Sequence, residues 1–409
     1  MLSLGFLTLS ACGSATDSSD SEAFTVVTYN VENLFDVDGV ALFDDYKPDP
    51  GEALAYPPRK FQTKLETIAE VLQTINDGAG PEIILFQELE ADFTPESSVD
   101  DFAAFLAEHA AMTLEEMLGP AFGPDLAGLP ASAWLLKALS DAGMTGYSVV
   151  TAPSRGLESG IAHTNAIFSK FPLIAVERHV LDQARDIIEA EIDVRGRPLI
   201  VYVNHWKSGA SNPKREPIRV QNAEVLRKLI DARLQKDPQA DILVAGDLNS
   251  HYNHSILFPE ITTGINDVLG SAGDERFAAN DLYNLWFELR PEARYAEVWR
   301  GRRGTLMHKI VTPGLYDSEG ISYIDGSFEV LVLPGLNADA VGRPLEWHPA
   351  GETGGGASDH FPLLARFTTA PFVAVDELSR GDDALDFEMP LSVADFRDEL
   401  NLSDGRFLN

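Results

Sequence analysis

Five short segments of the chain carry residues that could cooperate in chemistry, and four of them close an apolar, strand-like run. Asn30-Val31-Glu32 closes one and Gln87-Glu88 another. Asn204-His205 and Gly246-Asp247-Leu248-Asn249 close two more, and Ser358-Asp359-His360 precedes a last one. Together they offer carboxylates and amides (Asn30, Glu32, Glu88, Asp247, Asn249, Asp359) and two imidazoles (His205, His360). Oxygen-rich donors suit hard cations, Mg²⁺ first, with Mn²⁺ or Ca²⁺ as alternatives. Mg²⁺ normally takes one or two carboxylates and completes its shell with water or substrate phosphate. Two histidines beside such a cation suit acid–base work or charge stabilisation at a phosphoryl group. Singly, each segment is ordinary: an Asp-x-Asn turn bonds its own backbone, and Gln-Glu can simply end a strand. Their combination and order carry the weight.

The elements that must position these groups alternate between strand and helix. Residues 24–30, Phe-Thr-Val-Val-Thr-Tyr-Asn, are β-branched and aromatic, as strands are. Phe61, Leu65, Ile68, Leu72 and Ile75 recur every three or four residues and predict an amphipathic helix over 61–75, stopped by Gly78 to Pro81. Ile83 to Phe86 reads as a buried strand. Ile167 and Phe168, Ile187 to Val194, Leu199 to Asn204, Ile242 to Ala245 and Leu363 to Phe367 read as further strands. Val220, Ala223, Leu226, Leu229, Ile230 and Leu234 mark a second helix. Residues 100–145 carry helical patterns broken by Gly and Pro and few chemical groups, so a helical insertion is expected there. Residues 294–333 read as paired strands. Strand ends in layered folds are where rigidly held functional groups converge.

Taken in order, the segments resemble the endonuclease/exonuclease/phosphatase superfamily, the fold of DNase I, exonuclease III and the neutral sphingomyelinases. The matching residues are Thr28 to Asp36, Phe86-Gln87-Glu88, Asn204 to Ser208, Gly246 to Ser250 and Ser358-Asp359-His360. Tyr29 to Asp36 and His205-Trp206-Lys207-Ser208 look like its secreted bacterial branch. The resemblance implies an α/β fold, a four-layer αββα sandwich, and divalent-metal-dependent cleavage of phosphate esters. It implies Glu88 as principal metal ligand, with Asn30 and Glu32 supporting the metal and its waters and Asp359 near a second metal position. Asp247 would orient or deprotonate the attacking water, and Asn249 would hold that water or a phosphate oxygen. His205 would stand on the leaving-group side, and His360 would contact the scissile phosphate. One departure matters. Where the family has an Asp that orients the catalytic histidine, this chain reads Thr305-Leu306-Met307-His308-Lys309. Methionine cannot accept that hydrogen bond with useful strength. Either another carboxylate reaches His360, or His308 takes a role, or activity is reduced.

Local charge bears on substrate. Lys207, Lys214, Arg215 and Arg219 follow the His205 segment, and Arg300, Arg302, Arg303 and Lys309 precede the last strand. Both groups adjoin the candidate site, so a basic lip is expected, with Lys207, Arg302 and Arg303 meeting substrate phosphate. His251 and His254 form a His-x-x-His with no third ligand in sequence and read as a surface loop. Gly354-Gly355-Gly356 lacks the lysine of a phosphate-binding P-loop. No serine-hydrolase or zincin motif is present.

The chain has 409 residues, with 64 acidic and 31 basic side chains and a net charge of −33. Apolar residues at 44% and charged residues at 23% fit a globular protein and exclude wholesale disorder, collagen and coiled coil. The acidity would argue against a nucleic-acid partner if it were spread evenly, but much of it lies away from the motifs. No base precedes Lys47, and residues 371–409 carry ten acids against three bases. The only cysteine, Cys12, excludes an intrachain disulfide and a cysteine-based zinc site. Leu9-Ser10-Ala11-Cys12 resembles a bacterial lipobox, although the usual positive start is missing. The expected organisation is a signal segment (1–12) ending at a lipidated Cys12, a tether (13–23), a catalytic domain (24–370) and an acidic tail (371–409). That places the protein in the cell envelope, anchored by lipid at the outer membrane, or secreted. The expected partner is a phosphodiester, DNA or RNA, cleaved by an endonuclease or exonuclease. The alternatives are a phosphatase or phosphodiesterase acting on small phosphate esters or phospholipids, and a non-catalytic lipoprotein on a decayed scaffold.

Overall fold

The computed structural model describes residues 22–43, 46, 57–272, 282–317 and 319–370. Cys12, residues 13–21 of the tether and the acidic tail lie outside these residues; Glu22 and Ala23, the end of the expected tether, are described, and Ala23 already belongs to the first strand.

Two sheets of seven strands each form the centre. The first contains β1 (Ala23–Leu34), β2 (Ile83–Glu90), β3 (Ser148–Thr151), β4 (His163–Ser169), β14 (Ser322–Tyr323), β15 (Glu329–Val330) and β16 (Leu363–Thr368). Its order is β14-β16-β1-β2-β4-β3, with β15 also paired to β16. The second contains β5 (Leu173–His179), β6 (Ile187–Val194), β7 (Arg197–His205), β8 (Ile242–Asp247), β9 (Ser271–Ala272), β10 (Leu282–Asn284) and β13 (Met307–Val311), in the order β5-β6-β7-β8-β13-β10-β9. A separate hairpin pairs β11 (Glu297–Trp299) with β12 (Arg302–Gly304).

Alternation along each strand sends side chains to two different cores. On β1, Phe24 and Val26 enter the core between the sheets, while Val27, Tyr29 and Val31 enter an outer core. On β7 and β8, Leu199, Val201, Val203, Leu243 and Ala245 face inward, and Ile200, Tyr202, Ile242 and Val244 face outward. The outer faces are covered by the two helices that the sequence periodicity predicts. α1 (Pro58–Gln73) lays Phe61, Leu65, Ile68 and Leu72 on the first sheet. α6 (Glu216–Lys236) lays Ala223, Leu226 and Ile230 on the second. The result is the expected four-layer αββα sandwich. The expected insertion is also helical: α2 (Phe102–Glu108), α3 (Leu114–Leu118), α4 (Pro124–Ala127) and α5 (Ala131–Asp141) join the outer core of the first sheet.

Residues 294–333 are less uniform than paired strands. β11 and β12 pair with each other, β13 joins the second sheet, and β14 and β15 join the first. Short strands with intervening turns switch layers here, which an apolar pattern alone does not reveal.

Each sheet contains a parallel pair that matters for the site: β1 beside β2, with Asn30 opposite Gln87, and β7 beside β8, with His205 opposite Asp247. Parallel strands end on the same side, so each pair presents its carboxyl ends together. Gly246 makes this possible in the second sheet. Its φ is +127°, and a Cβ there would run into the Asn204 backbone. Gly246→Ala should therefore cost about 3 kcal/mol or more, because it adds both backbone strain and a backbone clash. Thermal unfolding measures this; a melting temperature within a degree of wild type would mean that β8 does not end as described.

Candidate active site

The carboxyl ends of the two parallel pairs meet across the sandwich. Asn30 is fully buried, and its Nδ2 donates to Glu88 Oε1 and to Asp247 Oδ2, both at 3.1 Å. It thus joins residues from both sheets. Its Oδ1 accepts from the Glu32 amide at 3.0 Å. Glu88 Oε2 accepts from the Asn33 amide at 3.0 Å. Asp247 Oδ1 accepts from the Asn249 amide at 2.8 Å, and Asn249 Nδ2 donates to the Trp206 carbonyl at 3.3 Å. His205 Nε2 lies 3.7 Å from Glu88 Oε1 and 3.8 Å from Asp247 Oδ2. Ligand atoms of Glu88, His205 and Asp247 all lie within 4.8 Å of one another.

The last motif is tied to the first. Ser358 Oγ donates to the Asn30 carbonyl at 2.6 Å and accepts from the His360 amide at 3.0 Å. His360 Nε2 comes within 3.9 Å of Asp247 and 3.6 Å of Asp359. Asp359 is the most open of the group, with its side chain 47% exposed. Glu32 accepts from the Trp347 amide at 2.7 Å. Three of these polar segments need left-handed backbone at non-glycine residues: Glu32 (φ +46°) and Asn33 (+54°) in the first, Glu88 (+65°) in the second and Asn249 (+49°) in the Asp247 segment. Such conformations cost free energy and persist where the surroundings enforce them, commonly at functional sites.

So all eight residues singled out as catalytic or metal-binding, Asn30, Glu32, Glu88, His205, Asp247, Asn249, Asp359 and His360, gather at one edge. The expected basic lip is thinner than the sequence implied. Arg219 is fully buried, ion-paired to Glu216, and donates to the Lys207 and Gly209 carbonyls. Lys309 is fully buried between the sheets and donates to Thr28 Oγ1 at 2.8 Å. Lys207 is half-buried; Arg300, Arg302 and Arg303 are exposed on the β11–β12 hairpin. The surface-loop reading of His251 and His254 is also corrected. His254 is buried 3.3 Å from Glu216, and His251 Nδ1 accepts from the Thr305 amide. Both belong to one polar network, with His254 buried and His251 half-buried.

The open question at Met307 has a structural answer. Met307 is buried in the inter-sheet core, opposite Asp247 in the register. His308 is occupied elsewhere, with Nε2 2.7 Å from the Ser250 carbonyl and Nδ1 3.0 Å from Asn284. A different carboxylate reaches His360: Glu297 Oε2 lies 3.7 Å from Nδ1, with Glu297 only 6% exposed. That is ion-pair range rather than a direct hydrogen bond. Glu297 is held by the Leu306 amide at 3.2 and 3.3 Å and bridges to His360 through the backbone. Gly304 leaves room for it, since a Cβ there would meet the Glu297 carboxylate. Sequence reading missed Glu297. The available signal was an acid among the apolar residues of a hairpin ten positions before Met307.

It also missed three nitrogen-bearing side chains behind the carboxylates, Lys64, His163 and Arg185. Lys64 of α1 is fully buried and donates to the Glu32 and Asn33 carbonyls. His163 Nε2 lies 2.7 Å from Asn33 Oδ1, and Arg185 contacts His163 Nδ1 at 3.0 Å. Burial would raise the Glu88 carboxyl, but His163, His205 and Arg185 outweigh it and hold the group well below the usual range. Burial pushes Glu32 up to about 8, helped by Asp359. It pushes Asp247 up to about 6, and Glu297 up to about 8 against the pull of His360. The imidazoles diverge. Burial, with Arg185, takes His205 well below its ordinary value, and burial takes His163 down to about 3. His360 is raised to about 9, because Asp359, Asp247 and Glu297 together outweigh its burial.

The chain matches the endonuclease/exonuclease/phosphatase family over residues 25–103 and 144–368. It belongs to that family. The family match omits most of α2–α5, so this helical segment is additional to the shared fold. Family members are metal-dependent phosphoester hydrolases, and so is this protein. No curated protein matches the chain. Among solved structures it is similar to a truncated Caenorhabditis elegans TDP2, at 12% identity and a TM-score of 0.46, over 85% of this chain and 98% of that one. It is similar to the Bacteroides thetaiotaomicron mannosyl-6-phosphatase Bt3783, at 14% identity and a TM-score of 0.42, over 84% of this chain and 99% of the other. The human Nocturnin catalytic domain is similar at 16% identity and a TM-score of 0.44, over 85% and 94%.

The divergence of the imidazoles is measurable. In the metal-free protein, His360 should remain an imidazolium at pH 7 and lose its proton near pH 9, whereas His163 should stay neutral down to about pH 3. Glu297→Gln should shift the His360 midpoint downward, since it removes one of the raising charges. Histidine NMR titration reads both, and a His360 midpoint at or below 6.5 would contradict the described surroundings.

Proposed function

We propose that this family member is a divalent-metal-dependent phosphodiesterase acting as a nuclease, with Mg²⁺ as its metal and Mn²⁺ or Ca²⁺ as substitutes. The observation that carries the reading is the convergence of Glu88, Asp247, Asn30 and His360 at the joined strand ends. The donor set fits a hard cation: Glu88 and Asp247 supply carboxylate oxygens beside His205 within a 4.8 Å group, with Glu32 and Asp359 adjacent. When bound, the cation would stabilise negative charge on a phosphoryl oxygen.

The chain's own residues account for the rest. Asp247 accepts the proton of the water that attacks phosphorus in line, and Asn249 holds that water or a phosphoryl oxygen. One P–O bond forms as the P–O bond to the leaving oxygen breaks, and the leaving oxygen takes its proton from solvent. His360, positively charged, donates to a phosphoryl oxygen where negative charge grows. Glu297 is a positioning residue: facing Nδ1, it fixes the ring and stabilises its charged form. His205 is 1% exposed and neutral, so it orders the two carboxylates from behind rather than meeting solvent.

Polymer recognition is supported by the β11–β12 hairpin, which begins at Glu297 and so projects from the site. Its Trp299 is 59% exposed, with the Arg300 guanidinium 4.4 Å from the ring centre, and Arg302 and Arg303 follow. An exposed aromatic flanked by guanidinium groups suits stacking on a base beside phosphate contacts. Lys207, half-buried, follows His205 by two residues. A phosphatase acting on small phosphate esters is the second reading, favoured by the withdrawal of Arg219 and Lys309 into the interior. Localisation at the cell envelope through a lipidated Cys12 is part of the proposal and is supported by Leu9-Ser10-Ala11-Cys12.

The full chain assayed on plasmid DNA, RNA, a bis-aryl phosphodiester and a phosphomonoester, with Mg²⁺, Mn²⁺, Ca²⁺ or EDTA, tests the reading. Metal-dependent cleavage of nucleic acid is expected; activity confined to monoesters would sink the nuclease. Asp247→Asn should lower kcat by about 100-fold or more. Glu297→Gln should lower kcat by about tenfold with KM little changed, and adding Met307→Asp should restore part of it. Failure of the second carboxylate to restore any activity in a folded double variant would count against the positioning role.

A further inference from the structure

Both donors to the Glu88 carboxylate come from one short stretch of chain. Asn30 Nδ2 reaches Oε1 at 3.1 Å, and the Asn33 amide reaches Oε2 at 3.0 Å. The Asn30 end of that stretch is fixed by Asp247 and Ser358. The Asn33 end is fixed by a separate set of contacts, which the chemistry above does not use.

Asn33 Oδ1 lies 2.7 Å from His163 Nε2, at the start of β4. Arg185 Nη2 lies 3.0 Å from the other ring nitrogen, Nδ1. A guanidinium only donates. Nδ1 is therefore the bare nitrogen, and the proton of the neutral imidazole sits on Nε2, where it donates to Asn33 Oδ1. His163 is 4% exposed, and Phe35 and Phe43 meet its ring edge to face, with centroids at 5.5 and 5.6 Å. Arg185 is anchored in turn. It lies between β5 and β6, and its amide donates to the His205 carbonyl at 3.3 Å. Asn33 also receives Lys64 Nζ at its carbonyl, at 3.3 Å. Its backbone is left-handed, with φ +54°, a conformation that persists where the surroundings enforce it.

We propose, on the reading of Glu88 as the metal ligand, that Asn33 is a positioning residue of the metal site, and that the line Arg185–His163–Asn33 sets the divalent-cation affinity of Glu88 by fixing its carboxylate. Arg185 selects the His163 tautomer. That tautomer gives the Asn33 side chain a donor, and Asn33 so held keeps its N–H on Oε2. With one donor on each oxygen the carboxylate plane is set, and each oxygen retains a lone pair for a cation. Without the His163 bond, the amide would move with the turn, and only Oε1 would be held. Hydrogen bonds that orient a metal ligand in this way typically contribute about 10- to 100-fold in affinity.

Asn33→Gly isolates the contact. Glycine adopts φ +54° without strain and keeps the amide donor, so only the His163 anchor is lost. Asn33→Asp keeps an acceptor facing Nε2. Calorimetric titration of the EDTA-stripped full chain with MnCl₂ reads the site, identified as the one that Glu88→Gln abolishes. Its Kd should rise about tenfold or more in Asn33→Gly and stay within about threefold of wild type in Asn33→Asp. His163→Ala should weaken it by a similar factor. The Asn33→Gly/His163→Ala double variant should be no weaker than either single one, because the same line of contacts is cut. Nitrogen-15 NMR of the metal-free protein at pH 7 should show His163 as the Nε2–H tautomer. The Nδ1–H tautomer would overturn the proposal, as would additive losses in the double variant. Wild-type Mn²⁺ affinity in folded Asn33→Gly would overturn it while leaving the reading of Glu88 intact. Absence of any Glu88-dependent Mn²⁺ site in the wild type would overturn that reading and the proposal with it.

Discussion

The two bonds made by the Asn30 side-chain amide are the constraint from which the rest of this site follows. Asp247 belongs to one sheet and Glu88 to the other, and both carboxylates are shielded from water. Left alone they would repel, and nothing in the packing of the sheets would fix their separation. A single NH₂ group donating to both converts repulsion into a defined spacing, and its carbonyl oxygen holds the Glu32 turn at the same time. The backbone of the same residue receives Ser358, which sets the start of the His360 segment. An aspartate there could not donate, and an aliphatic residue would leave Glu88 Oε1 and Asp247 Oδ2 without the donor they share.

Around that amide the charges are arranged in two layers. Lys64, His163 and Arg185 stand behind the carboxylates, on the protein side, and Glu88 stays ionised despite its burial because His163, His205 and Arg185 hold its carboxyl down as it titrates. Glu32, Asp359 and Asp247 stand in front with raised proton affinity. Burying so many like charges does not stabilise the fold. It stores an unsatisfied demand for positive charge at one edge, which a hard cation and the His360 imidazolium can meet. Strain at Glu32, Glu88 and Asn249 belongs to the same account, because stability is lower where the chemistry is concentrated.

Much of this was legible in the sequence because it is periodic or local. The alternation of Phe24 to Asn30 and the helical spacing of Phe61 to Ile75 describe how apolar residues reach a core, and the layers follow. The segments ending in Asn30, Glu88, His205 and Asp247 were legible because parallel strands bring their carboxyl ends together. What stayed hidden depends on contacts between distant segments. Lys64 looks like a solvated helix residue until α1 is docked with that face inward. Arg219 and Lys309 look like surface charge until their strands and helices are layered, after which Arg219 meets Glu216 and two backbone carbonyls and Lys309 meets Thr28. His163 begins a strand rather than ending one, so the strand-end rule passes over it.

Glu297 and Met307 show why the position of a functional group is a better guide than its place in a motif. What His360 needs is a carboxylate facing Nδ1, and that requirement concerns a point in space. β13 brings position 307 to that region, but so does the hairpin that bridges to the His360 backbone at Glu297. With a carboxylate already supplied from the hairpin, a second one at 307 would add another buried negative charge beside Asp247. An apolar side chain there fills the inter-sheet core instead. Gly304 completes the exchange, because the longer Glu side chain occupies volume that a Cβ on β12 would need. Read as a set, Glu297, Gly304 and Met307 describe a site that has moved one of its groups to a neighbouring strand rather than one that has lost it.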